Sequence, residues 1–168
     1  MDRIADFSIG DIVKVHSCQI NKFTEIARGN VEKKRYRLCL HDRSDNPLQE
    51  MMICMVRGDY ARPHKHHNMP ESHMILMGKA AIVLFSDTGE ITDAFLFDRE
   101  RGYLSYRINA DVYHMTVLLS DAVIEYEVKP GPFDPANNIY PSWAPDGTDR
   151  EETENYLVEM QQKLKRFL

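Results

Sequence analysis

Gly58-Asp59-Tyr60-Ala61-Arg62-Pro63-His64-Lys65-His66-His67-Asn68-Met69-Pro70-Glu71-Ser72-His73-Met74-Ile75-Leu76-Met77-Gly78 decides the fold of this chain. On an extended strand, residues two apart share a face, so His64 and His66 project together while Lys65 and His67 turn away. Glu71 follows after a short connection marked by Pro70. Working outward, the same texture continues: short apolar segments separated by turn residues. Residues 35–40 and 48–56 read as strands, with a loop at 42–47 between them. Residues 79–85 and 94–97 flank Asp87-Thr88-Gly89, a hairpin signal with glycine where positive φ is needed. Residues 103–108, 113–119 and 122–128 extend the series. Short segments without helix-length gaps indicate an antiparallel barrel or sandwich.

A further strand brings His114, preceded by the turn formers Asn109-Ala110-Asp111. Two imidazoles on one strand, a carboxylate beyond a turn and a third imidazole from a neighbouring strand can converge inside a barrel. Iron, nickel, copper, zinc and manganese all accept such donors. His16 and His67 read as ordinary surface or core histidines. His73, two residues past Glu71, shares its inward face, where it can be a hydrogen-bond partner of the ligands, an acid or base, a substitute ligand, or simply a lining residue.

The spacing of Gly58, His64, His66, Glu71 and Gly78 resembles, gap for gap, the first motif of the cupins. Five fixed positions at fixed spacing arise by chance in well under about one chain per thousand. The second cupin motif is looser: Gly102 and His114 fit, but Asn109 and Asp111 stand where proline and glycine are usual, and Leu118 replaces a polar residue. The resemblance implies a mainly β fold, a single cupin (double-stranded β-helix or jelly-roll) barrel over residues 35–146, whose proline-rich end (130–145) admits no regular element. It implies one divalent transition metal on His64, His66, Glu71 and His114, and cupins commonly form homodimers through their sheets. An N-terminal extension (1–34) contains a short helix over 21–27, capped by Asn21 and stopping near Gly29. A C-terminal helix (147–168) starts from a capping box of Thr148 and Glu151, and its apolar stripe Leu157, Met160, Leu164 and Phe167 packs on the barrel wall.

Longer stretches are similar to one group, the WbuC family of cupin-fold metalloproteins: Arg35-Tyr36-Arg37-Leu38-Cys39-Leu40-His41, residues 58–66, Glu127-Val128-Lys129-Pro130-Gly131-Pro132-Phe133-Asp134-Pro135 and Tyr140-Pro141-Ser142-Trp143-Ala144-Pro145. That resemblance implies a bacterial cytoplasmic protein encoded among genes for O-antigen or other surface-polysaccharide synthesis. It makes Arg35, Arg37, His41 and Lys129 candidates for binding substrate, and His73 and Glu127 candidates for catalysis. Arg35 and Arg37, two apart on one strand, offer a same-face guanidinium pair suited to a carboxylate or phosphate; with Lys33 and Lys34 they equally describe a solvated strand edge. Trp143 among prolines reads as a plug at one barrel end.

Composition narrows the partners. Among 168 residues the formal net charge is −5 and 43% are hydrophobic, ordinary for a globular chain. No broad basic surface is available for a phosphate backbone, so nucleic acid is not expected. The first residues carry acids where a signal peptide is apolar, and no apolar run can span a bilayer. Cys18, Cys39 and Cys54 read as reduced, structural thiols of a cytoplasmic protein. Three functions compete: a metal-dependent isomerase or epimerase of a sugar or sugar nucleotide, a non-haem iron dioxygenase, and a non-catalytic, metal-assisted protein that senses or carries a sugar; the small-molecule ligand is expected to be an anionic sugar if Arg35, Arg37 and Lys129 face the cavity. The fold hosts all three, and metal identity separates the second from the first.

Overall fold

Alternation of side chains along the strands builds two sheets whose inner faces meet. The computed structural model describes residues 5–168; the first four residues of the N-terminal extension lie outside them. In chain order the elements are β1 (Ala5–Phe7), α1 (Gln19–Gly29), β2 (Arg35–Cys39), β3 (Leu48–Val56), β4 (Lys65–His66), β5 (Glu71–Met77), β6 (Lys79–Phe85), β7 (Ile91–Asp98), β8 (Ser105–Ile108), β9 (Tyr113–Leu118), β10 (Ala122–Pro130), β11 (Asn138–Ile139) and α2 (Arg150–Leu164). One sheet runs β1-β2-β3-β10-β5-β8; facing it is β7-β6-β9, with the small pair β11-β4 beside it. The backbones of His64 and His114 bridge β4's approach to β9, at 3.1 and 2.9 Å. The sheets stay open, and together they form a mainly β jelly roll.

Between the layers lie Met51, Ile53, Met55, Ile75 and Val123 from the larger sheet and Ala80, Ile82 and Phe97 from the smaller. Each outer face is covered by a helix. Phe23 and Ala27 of α1 pack on Tyr36, Met52, Cys54 and Ile124. Met160 and Leu164 of α2 pack on Ala81, Val83, Met115 and Val117. Burying apolar area on both faces of both sheets, at about 25 cal/mol per Å², is the main force holding these layers together.

Several boundaries differ from the sequence reading. The first helix begins at Gln19 rather than Asn21, with Cys18 at its cap and no side-chain cap bond. The backbone N–H of His16 donates to Gln19 Oε1 at 2.6 Å, which fixes the turn that enters the helix. Asp149, not Thr148, caps α2 by accepting from Glu152 N–H, because Thr148 is turned back to donate to Asp146. Phe167, at 44% exposure, falls past the end of α2 and off its buried stripe. Cys18 is exposed rather than packed. Residues 130–145 are not wholly irregular, since β11 pairs with β4 and sets Asn138 opposite His66. Strand β1, pairing parallel with β2, is absent from the sequence reading.

Candidate metal centre and ligand cleft

Strand alternation places one row of polar side chains on the inner face of the larger sheet. On β10, Val123, Glu125 and Glu127 share that face, and on β5 so do Glu71, His73 and Ile75; Glu127 pairs across to His73. On β2 the same face carries Arg35, Arg37 and Cys39, opposite Met55, Ile53 and Met51 of β3. The interior is therefore apolar at one end and charged at the other. The charged end opens into a cleft of about 1000 Å³.

The four expected metal donors converge there. His64, His66 and His114 form one cluster of close ring nitrogens. Glu71 reaches into it, with Oε2 at 3.1 Å from His66 Nε2 and Oε1 at 2.7 Å from His114 Nε2. The Nδ1 of His64 lies 2.9 Å from the Arg62 carbonyl, and that of His114 lies 3.0 Å from the Val112 carbonyl. A carbonyl accepts only, so both Nδ1 atoms carry a proton and both rings turn Nε2 toward the cluster. Burial, and then the neighbouring His114, hold the pKa of His64 well below the ordinary imidazole value. Burial opposes ionisation of Glu71, but the surrounding histidines outweigh it and keep the carboxyl well below the usual carboxylate range. Three imidazoles, two of them oriented by carbonyls at Nδ1, and one carboxylate make a donor set that fits a first-row divalent ion.

Behind Glu71 sits His73, with Nε2 at 3.5 Å from Glu71 Oε1 and Nδ1 at 3.6 Å from Glu125 Oε1. Its ring stacks on Tyr106 at 4.7 Å between centroids and 12° between planes. Burial opposes its charged form, yet Glu125 and Glu71 raise its pKa well above the ordinary value. Glu71, His73 and Glu127 form a second group of close donor atoms. Burial opposes ionisation of Glu127, but Lys129 Nζ, 2.8 Å from its carboxylate, lowers its pKa.

The other candidates divide. Arg35 donates from Nε and Nη2 to the two oxygens of Asp59, at 2.9 and 2.8 Å. Arg37 and Lys129 line the cleft. His41 lines its rim, but its Nδ1 lies 3.1 Å from the Glu50 backbone nitrogen and accepts from it, and its ring meets Phe7 edge-on. Trp143 covers Phe85 and Tyr113 and donates to the Asp87 carbonyl. The sequence reading missed Asp59, Glu125, Tyr106, Arg62 and Tyr140. Glu125 was legible, since it alternates with Glu127. Tyr140 lies 6.1 Å from the His64 ring, with the Arg62 guanidinium 4.9 Å over its face.

A family profile described as a domain of unknown function (DUF6016) matches residues 15–97. No curated protein matches the chain. Among solved structures, CapF bound to the inhibitor 3-isopropenyl-tropolone is similar, with 17% identity and a TM-score of 0.54 over 67% of this chain and 33% of that one. The capsular polysaccharide assembling protein CapF from Staphylococcus aureus is similar at 16% identity and a TM-score of 0.50, over 60% and 28%. Protein SO0799 from Shewanella oneidensis has 13% identity and a TM-score of 0.48, over 59% and 65%. The chain thus spans a third of CapF and just under two thirds of the Shewanella protein. Among the described residues no helix is long and apolar enough to cross a membrane. The two-layer topology and the likeness to CapF make this a mainly β chain with the cupin jelly-roll fold.

Proposed function

We propose that the chain binds one divalent first-row metal ion (iron, manganese, nickel or zinc) through His64, His66, Glu71 and His114, and acts on a sugar or sugar nucleotide in the adjoining cleft. The observation that carries this reading is the cluster of His64, His66 and His114 with Glu71 in contact with two of its rings, the Nδ1 hydrogen bonds of His64 and His114 turning both Nε2 atoms toward it. A metal in that position supplies Lewis acidity to a carbonyl or a pair of hydroxyls. Glu71 contributes the negative charge. His73, between Glu71 and Glu125, holds a proton beside the cluster, and Glu127 is the carboxylate whose partner Lys129 can release it. Residues 35–146 are the working unit, with the flanking helices serving as walls. The stretches that resemble WbuC-like cupins, and the likeness to CapF, a capsular polysaccharide assembling protein, support a place in bacterial surface-polysaccharide synthesis.

Elemental analysis of protein purified without added metal tests the reading. About one equivalent per chain is expected, falling to background in a His64→Ala, His66→Ala double variant. Unchanged occupancy in that variant refutes it. Ferrous iron with oxygen uptake in the presence of a sugar would move the chemistry to a dioxygenase.

A further inference from the structure

Three cations line the inner face of the larger sheet, and two of them are matched. Arg35 is clasped by both oxygens of Asp59, and Lys129 sits 2.8 Å from Glu127. Arg37 has no such partner: among the described residues it makes no hydrogen bond or ion pair. Its register neighbours are Ala5 and Ile53, both apolar. Glu125 lies one strand beyond Ile53 and faces His73. Burial and the like charge of Arg35 push the Arg37 guanidinium below its usual value, while Glu127 and Asp59 draw it the other way from beyond ion-pair distance. Arg62, at the mouth, differs in being held by the Tyr140 face and by the Pro141 carbonyl at 3.1 Å. An unmatched guanidinium inside a cleft is costly to keep in the fold, so its retention calls for a ligand.

We infer that Arg37 anchors an oxyanion of the bound molecule, a carboxylate or a phosphoryl group, whose hydroxyl- or carbonyl-bearing end reaches the histidine cluster. The second half of this inference rests on the proposed metal centre; the first does not. Arg37 on β2 and Glu71 on β5 are three strands apart across the sheet, about 14 Å in that direction alone, and the register sets Arg37 level with Ile75, four residues further along β5 from Glu71. A single inorganic ion cannot touch both ends, whereas a sugar acid or a sugar phosphate can. The guanidinium fork suits either oxyanion bidentately.

The test compares wild type with Arg37→Met by thermal unfolding, calorimetry and metal analysis, using glucuronate, glucose 6-phosphate and glucose as probes. Without ligand, Arg37→Met should unfold about 2–4 °C higher, because a half-buried charge without an ion-pair partner has been removed. Wild type should bind glucuronate or glucose 6-phosphate more tightly than glucose, and the tighter of the two identifies the oxyanion. Arg37→Met should lose at least about tenfold in that affinity at unchanged metal content. Anion binding that survives in the variant, or no preference for either anion in wild type, overturns the inference. An Arg37-dependent preference in protein that holds no metal upholds the anchor while the metal reading fails.

Discussion

Replacing Asp59 by Asn separates the two arginines of β2 by role. The Asp59 side chain is 1% exposed and that of Arg35 17%, and the pair is bidentate at 2.8 and 2.9 Å. Burial pushes the Asp59 carboxyl up even against Arg35, so the pair itself is only modestly stabilising, as expected where desolvation rivals attraction. Breaking it from one side is another matter. Asn cannot match the guanidinium charge, which stays buried beside Arg37. Leaving one member of a buried pair uncompensated costs about 3–5 kcal/mol, and for a domain of this size each kcal/mol moves Tm by about 2–4 °C. Asp59→Asn should therefore lower Tm by about 6–20 °C, and adding Arg35→Gln should restore most of it. Urea unfolding monitored by circular dichroism, with unchanged slope, provides the free energy. A loss below about 1 kcal/mol, the value of an exposed pair, would refute the argument and return Arg35 to the pool of free, ligand-facing cations.

Two further outcomes follow from local geometry. Gly58 and Gly78, the ends of the histidine motif, both have positive φ, at 91° and 84°, but a Cβ on Gly58 meets nothing nearer than Lys34 Cγ at 4.0 Å, whereas one on Gly78 falls 2.1 Å from the Ala122 carbonyl oxygen. Gly58→Ala should cost about 1–2 kcal/mol of backbone strain, and Gly78→Ala clearly more, measured by denaturant unfolding; equal losses would show that the clash relaxes freely. Burial pushes the Cys54 thiol up to about 11 from an ordinary 9, so the unfolded chain loses this proton first and stability falls as pH rises from 9 through 11. Cys54→Ala should flatten that part of the pH profile, and Cys18, the exposed thiol, should react with a thiol reagent long before Cys39 and Cys54.

What was legible in the sequence is what strand periodicity encodes. Strands β3 and β6 fall on the expected residues 48–56 and 79–85 because each holds an apolar run, 51–56 and 80–85, bounded by turn formers. The hairpin at Asp87-Thr88-Gly89 is visible for the same reason, with Gly89 at φ 88°. The spacing of His64, His66 and Glu71 places them on neighbouring elements without further information. Tertiary partners were harder. Asp59 follows a motif glycine and looks like a turn residue; only the sheet brings Arg35 to it, 24 positions away. Tyr140 approaches His64 because β11 pairs with β4, a contact of two residues that carries no periodic signal. Strand β1 is three residues long and pairs parallel with β2, so no turn announces it.

The position of His73 limits what it can do. Its Nε2 faces Glu71 Oε1 at 3.5 Å, and the same carboxylate reaches His114 and His66 on its far side. Glu71 Oε1 thus joins His73 to the histidine cluster. With Glu125 at its other nitrogen and Tyr106 stacked on its ring, His73 is fixed on three sides. In the proposed centre His73 would act through the Glu71 carboxylate, a proton held there drawing on Glu71, and the neighbouring Glu127–Lys129 pair gives the cleft a second carboxylate. A barrel needing only stability would fill this end with the apolar packing that Phe97, Ile75 and Ile82 supply at the other. Charge of both signs gathered on this face, with Arg37 left without an ion-pair partner and atoms of Glu125 and His73 without a hydrogen bond, is what the proposed ion and anionic ligand would satisfy.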